Sequence, residues 1–247
     1  MPLRAVLAMA AVLAVVWGPA AWAAGDCPAL PPRTPMPPEA LPGMTEQASW
    51  RDAVAALDTK LPSMPLASRR LVFIGDSITS SWDPTLFGMF YGGRAPLLLG
   101  IGGDGTAGVL QRLPQEWGPL RPKLAVVLIG TNNIPYSPPE NVALGIAEIV
   151  RAIHRRSADT RILIVGILPR GATAAEPLRK TALRVNEMVA RCADGRTVFF
   201  TDISRDLIDF SGNLSNQVSY DFLHFTQVGY ALIAASLEPD IRRIMGD

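Results

Sequence analysis

The sequence predicts an α/β fold: a three-layer α/β/α domain on a doubly wound, five-stranded parallel sheet. Three observations carry that prediction. Five short apolar runs recur between residues 71 and 201, most of them closed by glycine. Stretches with helical spacing lie between them. The runs are continuous instead of alternating, as expected for strands covered on both faces.

Residues 1–23 read as a secretory signal peptide. Arg4 precedes an uncharged run over 5–17, then the breaker pair Gly18-Pro19, then Ala21-Trp22-Ala23, a small-x-small cleavage site. The run is too short for a comfortable membrane span, and an uncleaved anchor is the competing reading. Cys27 follows Asp26 instead of a small residue, which disfavours a lipoprotein. The expected mature chain is exported, periplasmic or extracellular, with no stable membrane span. Export permits a disulfide, so Cys27 and Cys192 either pair, pinning the N-terminal segment, or stay as separate thiols.

Residues 24–46 are proline-rich, with seven prolines between Cys27 and Pro42, and are expected to be an extended spacer outside the packed core. Residues 47–69 form a helical lead-in. Its helix covers 47–61, with Trp50, Val54 and Leu57 on one face, and Pro62 and Pro65 end it. The catalytic domain is expected over 70–247. Its strands are LVFIG (71–75), PLLLG (96–100), LAVVLIG (124–130), RILIVG (161–166) and TVFFT (197–201). Its helices cover 107–113, 139–156, 175–191 and 226–244. Residues 82–94 are read as a loop whose Trp82, Phe87, Phe90 and Tyr91 either form an aromatic platform for substrate or cover the sheet edge.

Composition narrows the function. Of 247 residues, 49% are hydrophobic and 18% charged, enough to bury a sizeable core. Lys+Arg is 23 and Asp+Glu is 22, so no basic excess favours nucleic acid. Two Cys and two His exclude a Cys/His zinc cluster, and any catalytic histidine is His154 or His224.

In a doubly wound sheet the ligand sits beyond the carboxyl ends of the strands. Those ends carry GDSIT (75–79), GIGGDGT (100–106) and GTNN (130–133), and DFLH (221–224) precedes the last helix. Together they supply a hydroxyl, glycine amides, a carboxamide, a carboxylate and an imidazole, the groups acyl transfer needs. Metal and cofactor are not required. A glycine string without a GK[ST] ending is weak evidence for the competing reading, a flavodoxin-like binding domain holding an anion.

GDSITSSW, GIGGDGT, GTNN and DFLH resemble the four motif blocks of the SGNH (GDSL-type) esterase superfamily, over 70–247. FIGDSI, VLQRL, ILPRG, EPLR, RVN and DFLHFTQVGY are similar, in that order, to the catalytic subunits of platelet-activating-factor acetylhydrolases. One departure is visible: LLL at 97–99 stands where the superfamily often has an asparagine shortly before the glycines. The resemblance implies the flavodoxin-like SGNH hydrolase fold, a Ser-His-Asp triad and a three-donor oxyanion hole.

By that resemblance Ser77 is the nucleophile, His224 the general base and Asp221 the acid that orients it. The hole is formed by the N–H of Ser77, the N–H of Gly103 and the side-chain amide of Asn132, with Gly102 as the alternative second donor. Asp76 is read as a turn-holding residue. His154, at the basic end of a helix, is read as structural. Phe222 and Leu223, beside the base, are placed to restrict acyl size. The function that follows is an exported serine esterase cleaving small acyl esters, acetyl foremost, of a small molecule or glycan. An O-acyltransferase acting on an envelope or exported glycan would use the same triad. The resembling subunits associate as dimers, so a homodimer is the expected partner state.

Overall fold

The computed structural model describes residues 27–45 and 47–247. The signal-peptide reading lies outside them. Five parallel strands form one sheet: β1 (Leu71–Gly75), β2 (Pro96–Gly100), β3 (Leu124–Leu128), β4 (Arg161–Val165) and β5 (Val198–Thr201). Their order is β2-β1-β3-β4-β5. The chain steps one way from β1 to β2 and then crosses to β3 on the other side. The crevice between the carboxyl ends of β1 and β3 is therefore the switch point where ligands collect.

Strand side chains alternate between two apolar layers. Val72, Ile74, Ala125, Val127, Ile162 and Ile164 face one layer. It is covered by α4 (Thr106–Trp117), α5 (Pro139–Arg156) and α6 (Pro177–Ala190). Leu71, Phe73, Val126, Leu163 and Val165 face the other. That face is covered by α2 (Ser77–Ser80), α3 (Pro84–Tyr91) and α7 (Gln227–Met245). The central strands β1, β3 and β4 are thus buried on both faces, which is why they read as continuous apolar runs, while the edge strands β2 and β5 keep partly exposed positions.

Three expectations change. Residues 84–91 form α3, not a loop: Asp83 caps it by accepting the Leu86 N–H at 2.8 Å, and Pro84 occupies its first position. Trp82, Phe87 and Tyr91 pack against Phe73 and Tyr230 inside the core, so they cover the sheet and form no platform. Helix α4 continues through Pro114 to the buried Trp117, instead of ending at 113.

The third change concerns the N-terminal segment. Cys27 and Cys192 form a disulfide with their Cα atoms 4.3 Å apart. Cys27 and Ala40 are buried. Arg151 on α5 donates to the carbonyls of Cys27 and Leu30. Thr106 Oγ1 donates to the Glu39 carbonyl at 2.7 Å, and the Gly43 N–H to the Ala107 carbonyl at 3.1 Å. The segment is extended, as its prolines dictate, but it is fastened to the domain and is not a free spacer. Helix α1 (Ala48–Lys60) then lays Trp50 into the core.

Candidate active site

The site begins with a tight turn at the end of β1. A Cβ on Gly75 would meet Thr79 and the Leu128 carbonyl, and one on Gly100 would meet the backbone of Thr79 and Ser80. Both positions must be glycine for α2 to sit so close to the strand ends. Asp76 caps α2: its Oδ1 accepts the Ile78 N–H at 2.9 Å, the turn-holding role expected of it. Ser77 is the first residue of α2, so its N–H has no intrahelical partner.

Ser77 Oγ lies 2.9 Å from His224 Nε2. His224 Nδ1 lies 2.7 Å from Asp221 Oδ2. Asp221 Oδ1 accepts the N–H groups of His224, at 2.6 Å, and Leu223, at 3.0 Å. The carboxylate thus fixes both the loop and the ring. An Nδ1–H facing Asp221 leaves Nε2 free to accept from the serine. Partial burial pushes the Asp221 carboxyl up, but the His224 ring and the two N–H groups more than offset this and hold it below its ordinary range. Phe222 is in the left-handed region at φ 61°, and its carbonyl accepts the Gly171 N–H at 2.7 Å, tying the loop to residues 170–171.

Gly103 follows β2 with φ 77°, a conformation that favours glycine. A Cβ on Gly102 would meet nothing within 4 Å. Asn132 follows β3, and its Nδ2 donates to the Asp104 carbonyl at 2.9 Å. Asn133 Oδ1 accepts the Thr106 N–H at the start of α4, at 3.1 Å. The fold brings Ser77, Gly103 and Asn132 to one sheet edge, at the switch point, with Asp221 and His224 on the loop before α7. His154 lies elsewhere, its Nε2 3.1 Å from the Thr160 carbonyl, consistent with the structural role read for it.

Beneath the site lies a buried polar hub that sequence reasoning did not find. Arg112 is 1% exposed. It pairs with Asp104 at 2.7 Å and Glu116 at 2.5 Å. It also donates to the carbonyls of Gly75 and Leu99, each at 3.0 Å. One guanidinium thus holds the ends of β1 and β2 and the residue after Gly103. Trp50 Nε1 joins it at Asp104 Oδ1, 3.0 Å away. On the other layer Tyr230 donates to the Ile78 carbonyl at 2.9 Å, locking α7 onto α2. Only the i,i+4 spacing of Arg112 and Glu116 hinted at any of this.

The hub and Asp76 set a pH dependence. Burial pushes the Asp76 carboxyl from 3.8 up to about 7, helped by the Asp104 charge and opposed by the Ile78 N–H and His224. Burial also raises Glu116 to about 7 and raises Asp104, against the pull of Arg112. Groups whose folded pKa lies above the unfolded value favour the folded state fully below the unfolded pKa. That advantage is lost as pH rises through the folded pKa. Thermal unfolding is therefore expected to show a melting temperature that falls between about pH 4 and 7. Asp76→Asn should flatten that slope; a wild-type melting temperature that rises across this window would contradict the assignment.

Two cavities border residues of the candidate site. One, about 380 Å³, is bordered by Arg170, Glu176, Asp221 and Leu223. The other, about 520 Å³, opens beside Gly103 and Asn132.

Residues 73–232 match the GDSL-like Lipase/Acylhydrolase family. The alpha1 subunit of platelet-activating factor acetylhydrolase IB from Pongo abelii is 35% identical over 178 residues, 71% of this chain and 76% of that one. The fold is shared with a GDSL-like lipase from Bacteroides thetaiotaomicron (TM-score 0.64, 19% identity, 77% of this chain and 97% of that one). It is shared also with an acetylxylan esterase from Geobacillus stearothermophilus (TM-score 0.55, 16% identity, 72% and 94%). Family match, relatives and sheet topology agree: the chain belongs to the GDSL-like lipase/acylhydrolase family and is a carboxylic-ester hydrolase.

Proposed function

We propose that this chain is an exported serine esterase that removes small acyl groups, acetyl foremost, through Ser77, His224 and Asp221. The observation that carries the reading is the unbroken hydrogen-bonded line from Ser77 Oγ to His224 Nε2 at 2.9 Å and from His224 Nδ1 to Asp221 Oδ2 at 2.7 Å. Ser77 Oγ attacks the ester carbonyl carbon while its proton passes to Nε2. The carbon–oxygen bond to the alcohol breaks, and the alcohol leaves with that proton. Water then attacks the acyl-serine, giving a proton to Nε2. The acid departs as Ser77 recovers its hydrogen. Asp221 keeps the imidazolium oriented throughout.

The oxyanion formed in each half-reaction is held by the N–H of Ser77, the N–H of Gly103 and Asn132 Nδ2. Asn132 already spends one amide hydrogen on the Asp104 carbonyl, which aims the other. Asn132→Ala is expected to lower kcat by about 10²–10³-fold with little change in KM. A change confined to KM would remove Asn132 from the hole.

Export is supported by the composition of residues 1–23 and by the Cys27–Cys192 disulfide, a bond that persists in oxidising compartments. Acetyl preference is supported by the Pongo abelii acetylhydrolase subunit and the Geobacillus acetylxylan esterase. The deciding experiment is hydrolysis of p-nitrophenyl esters from acetate to octanoate by the chain from Ala24 and by its Ser77→Ala variant. Serine-dependent turnover that peaks at acetate is the expected result. A peak at long chains would overturn the acyl assignment, and serine-independent turnover would overturn the mechanism.

A further inference from the structure

Residues 27–45 lie outside the family match at 73–232, yet part of this arm shares a cleft with Gly103 and Asn132. The cleft of about 520 Å³ beside Gly103 and Asn132 has the N-terminal arm as its opposite side, through Met36, Leu41, Gly43 and Met44. Leu41 and Met44 are exposed, at 45% and 68%. They are large apolar side chains at a cleft bordered by two proposed oxyanion donors.

The wall is anchored along its length. The Cys27–Cys192 disulfide holds its start, the Thr106 hydroxyl holds the Glu39 carbonyl, and the Ala107 carbonyl holds the Gly43 N–H. Gly145 on α5 lets the arm approach, since a Cβ there would strike the Glu39 carbonyl and Thr106. Such fastening gives the cleft a fixed shape before anything binds, which lowers the ordering cost of binding.

The lining decides the chemistry. Among the described residues, no Lys, Arg, Asp or Glu side chain borders this cleft. The described lining offers a charged alcohol no counter-charge. Nor is the wall continuously apolar: Thr45, Asn132 and Asn133 alternate with Met, Leu and Pro faces. A ring with C–H faces and several hydroxyls satisfies both kinds of surface, and a lipid chain does not.

We infer that this cleft is a substrate subsite, built by the N-terminal arm, for the alcohol part of the ester: an uncharged polyhydroxylated ring, that is, a sugar. The inference rests on the small-acyl hydrolysis reading, because an acetyl group leaves nearly all the substrate's bulk in the alcohol.

The test compares wild type with a Leu41→Trp/Met44→Trp variant that fills the cleft from its exposed rim. Two acetate esters are used: ethyl acetate, and fully acetylated xylobiose. The ratio of kcat/KM on the sugar ester to that on ethyl acetate is expected to fall about tenfold in the variant. Unesterified xylotriose should inhibit ethyl acetate hydrolysis competitively in wild type, with an inhibition constant about tenfold weaker in the variant. An unchanged ratio, with xylotriose equally effective or without effect on both proteins, would overturn the subsite while leaving hydrolysis standing. Absence of Ser77-dependent turnover on either ester would overturn the hydrolysis reading and the subsite with it.

Discussion

Ser77→Ala is expected to lower kcat for ester hydrolysis by about 10⁵–10⁶-fold, the scale of nucleophile loss in triad enzymes. The size follows from how the groups act. Ser77 and His224 share one proton across 2.9 Å, so either is useless without the other. His224→Ala should therefore cost about as much, and the double variant scarcely more. Asp221→Asn should cost about 10⁴-fold, because an amide can donate to Nδ1 and favour the wrong tautomer. Its effect on folding should be small, since an Asn Oδ1 still accepts the N–H groups of Leu223 and His224. Burst and steady-state kinetics, with circular dichroism as a folding control, check the series. Additive losses in the double variant would show that the serine and histidine do not act as a unit.

Arg112→Met is expected to have the largest effect on stability. The change strands two buried carboxyls, Asp104 and Glu116, and removes a donor from the carbonyls of Gly75 and Leu99. Breaking a buried ion pair by deleting one partner costs about 3–5 kcal/mol. For a chain of this size that corresponds to a melting temperature lower by about 10 °C or more. Arg112→Lys keeps the charge but cannot reach four partners at once, so it should also be destabilised. Adding Asp104→Asn and Glu116→Gln to Arg112→Met removes the stranded charge and should recover part of the loss. Differential scanning calorimetry decides it: a melting temperature within 2 °C of wild type would show that the hub contributes little.

The sheet was legible because its signal is local. Each strand is a short apolar run, buried on both faces in β1, β3 and β4, and every expected strand matches an observed one to within two residues. Helix α3 was missed because Phe87, Phe90 and Tyr91 read equally as an aromatic loop; its Asp83-Pro84 start was the overlooked clue. The candidate site was legible in part for a related reason. Ser77, Gly103, Asn132, Asp221 and His224 sit in short motifs at strand ends, and the fold draws them to one edge. The residues that hold those motifs in place were not legible. Trp50 meets Asp104 across 54 positions, Arg112 meets Gly75 across 37, and Tyr230 meets Ile78 across 152. Contacts at such distances leave no periodicity in the sequence. The proline-rich arm misled for the opposite reason: its composition describes its backbone, not what it rests on.

The order of these parts along the chain is also an order in time. Synthesis runs from the N-terminus, and the proposed base is made 147 residues after the nucleophile. Cys27 likewise waits 165 residues for Cys192. Helix α7, which closes one layer and places Tyr230 against α2, comes last of all. A chain interrupted between Ser77 and His224 lacks the proposed base and the helix α7 that completes one layer over the sheet. On the proposed mechanism, translation that stops short of His224 therefore yields inert fragments instead of a weaker esterase.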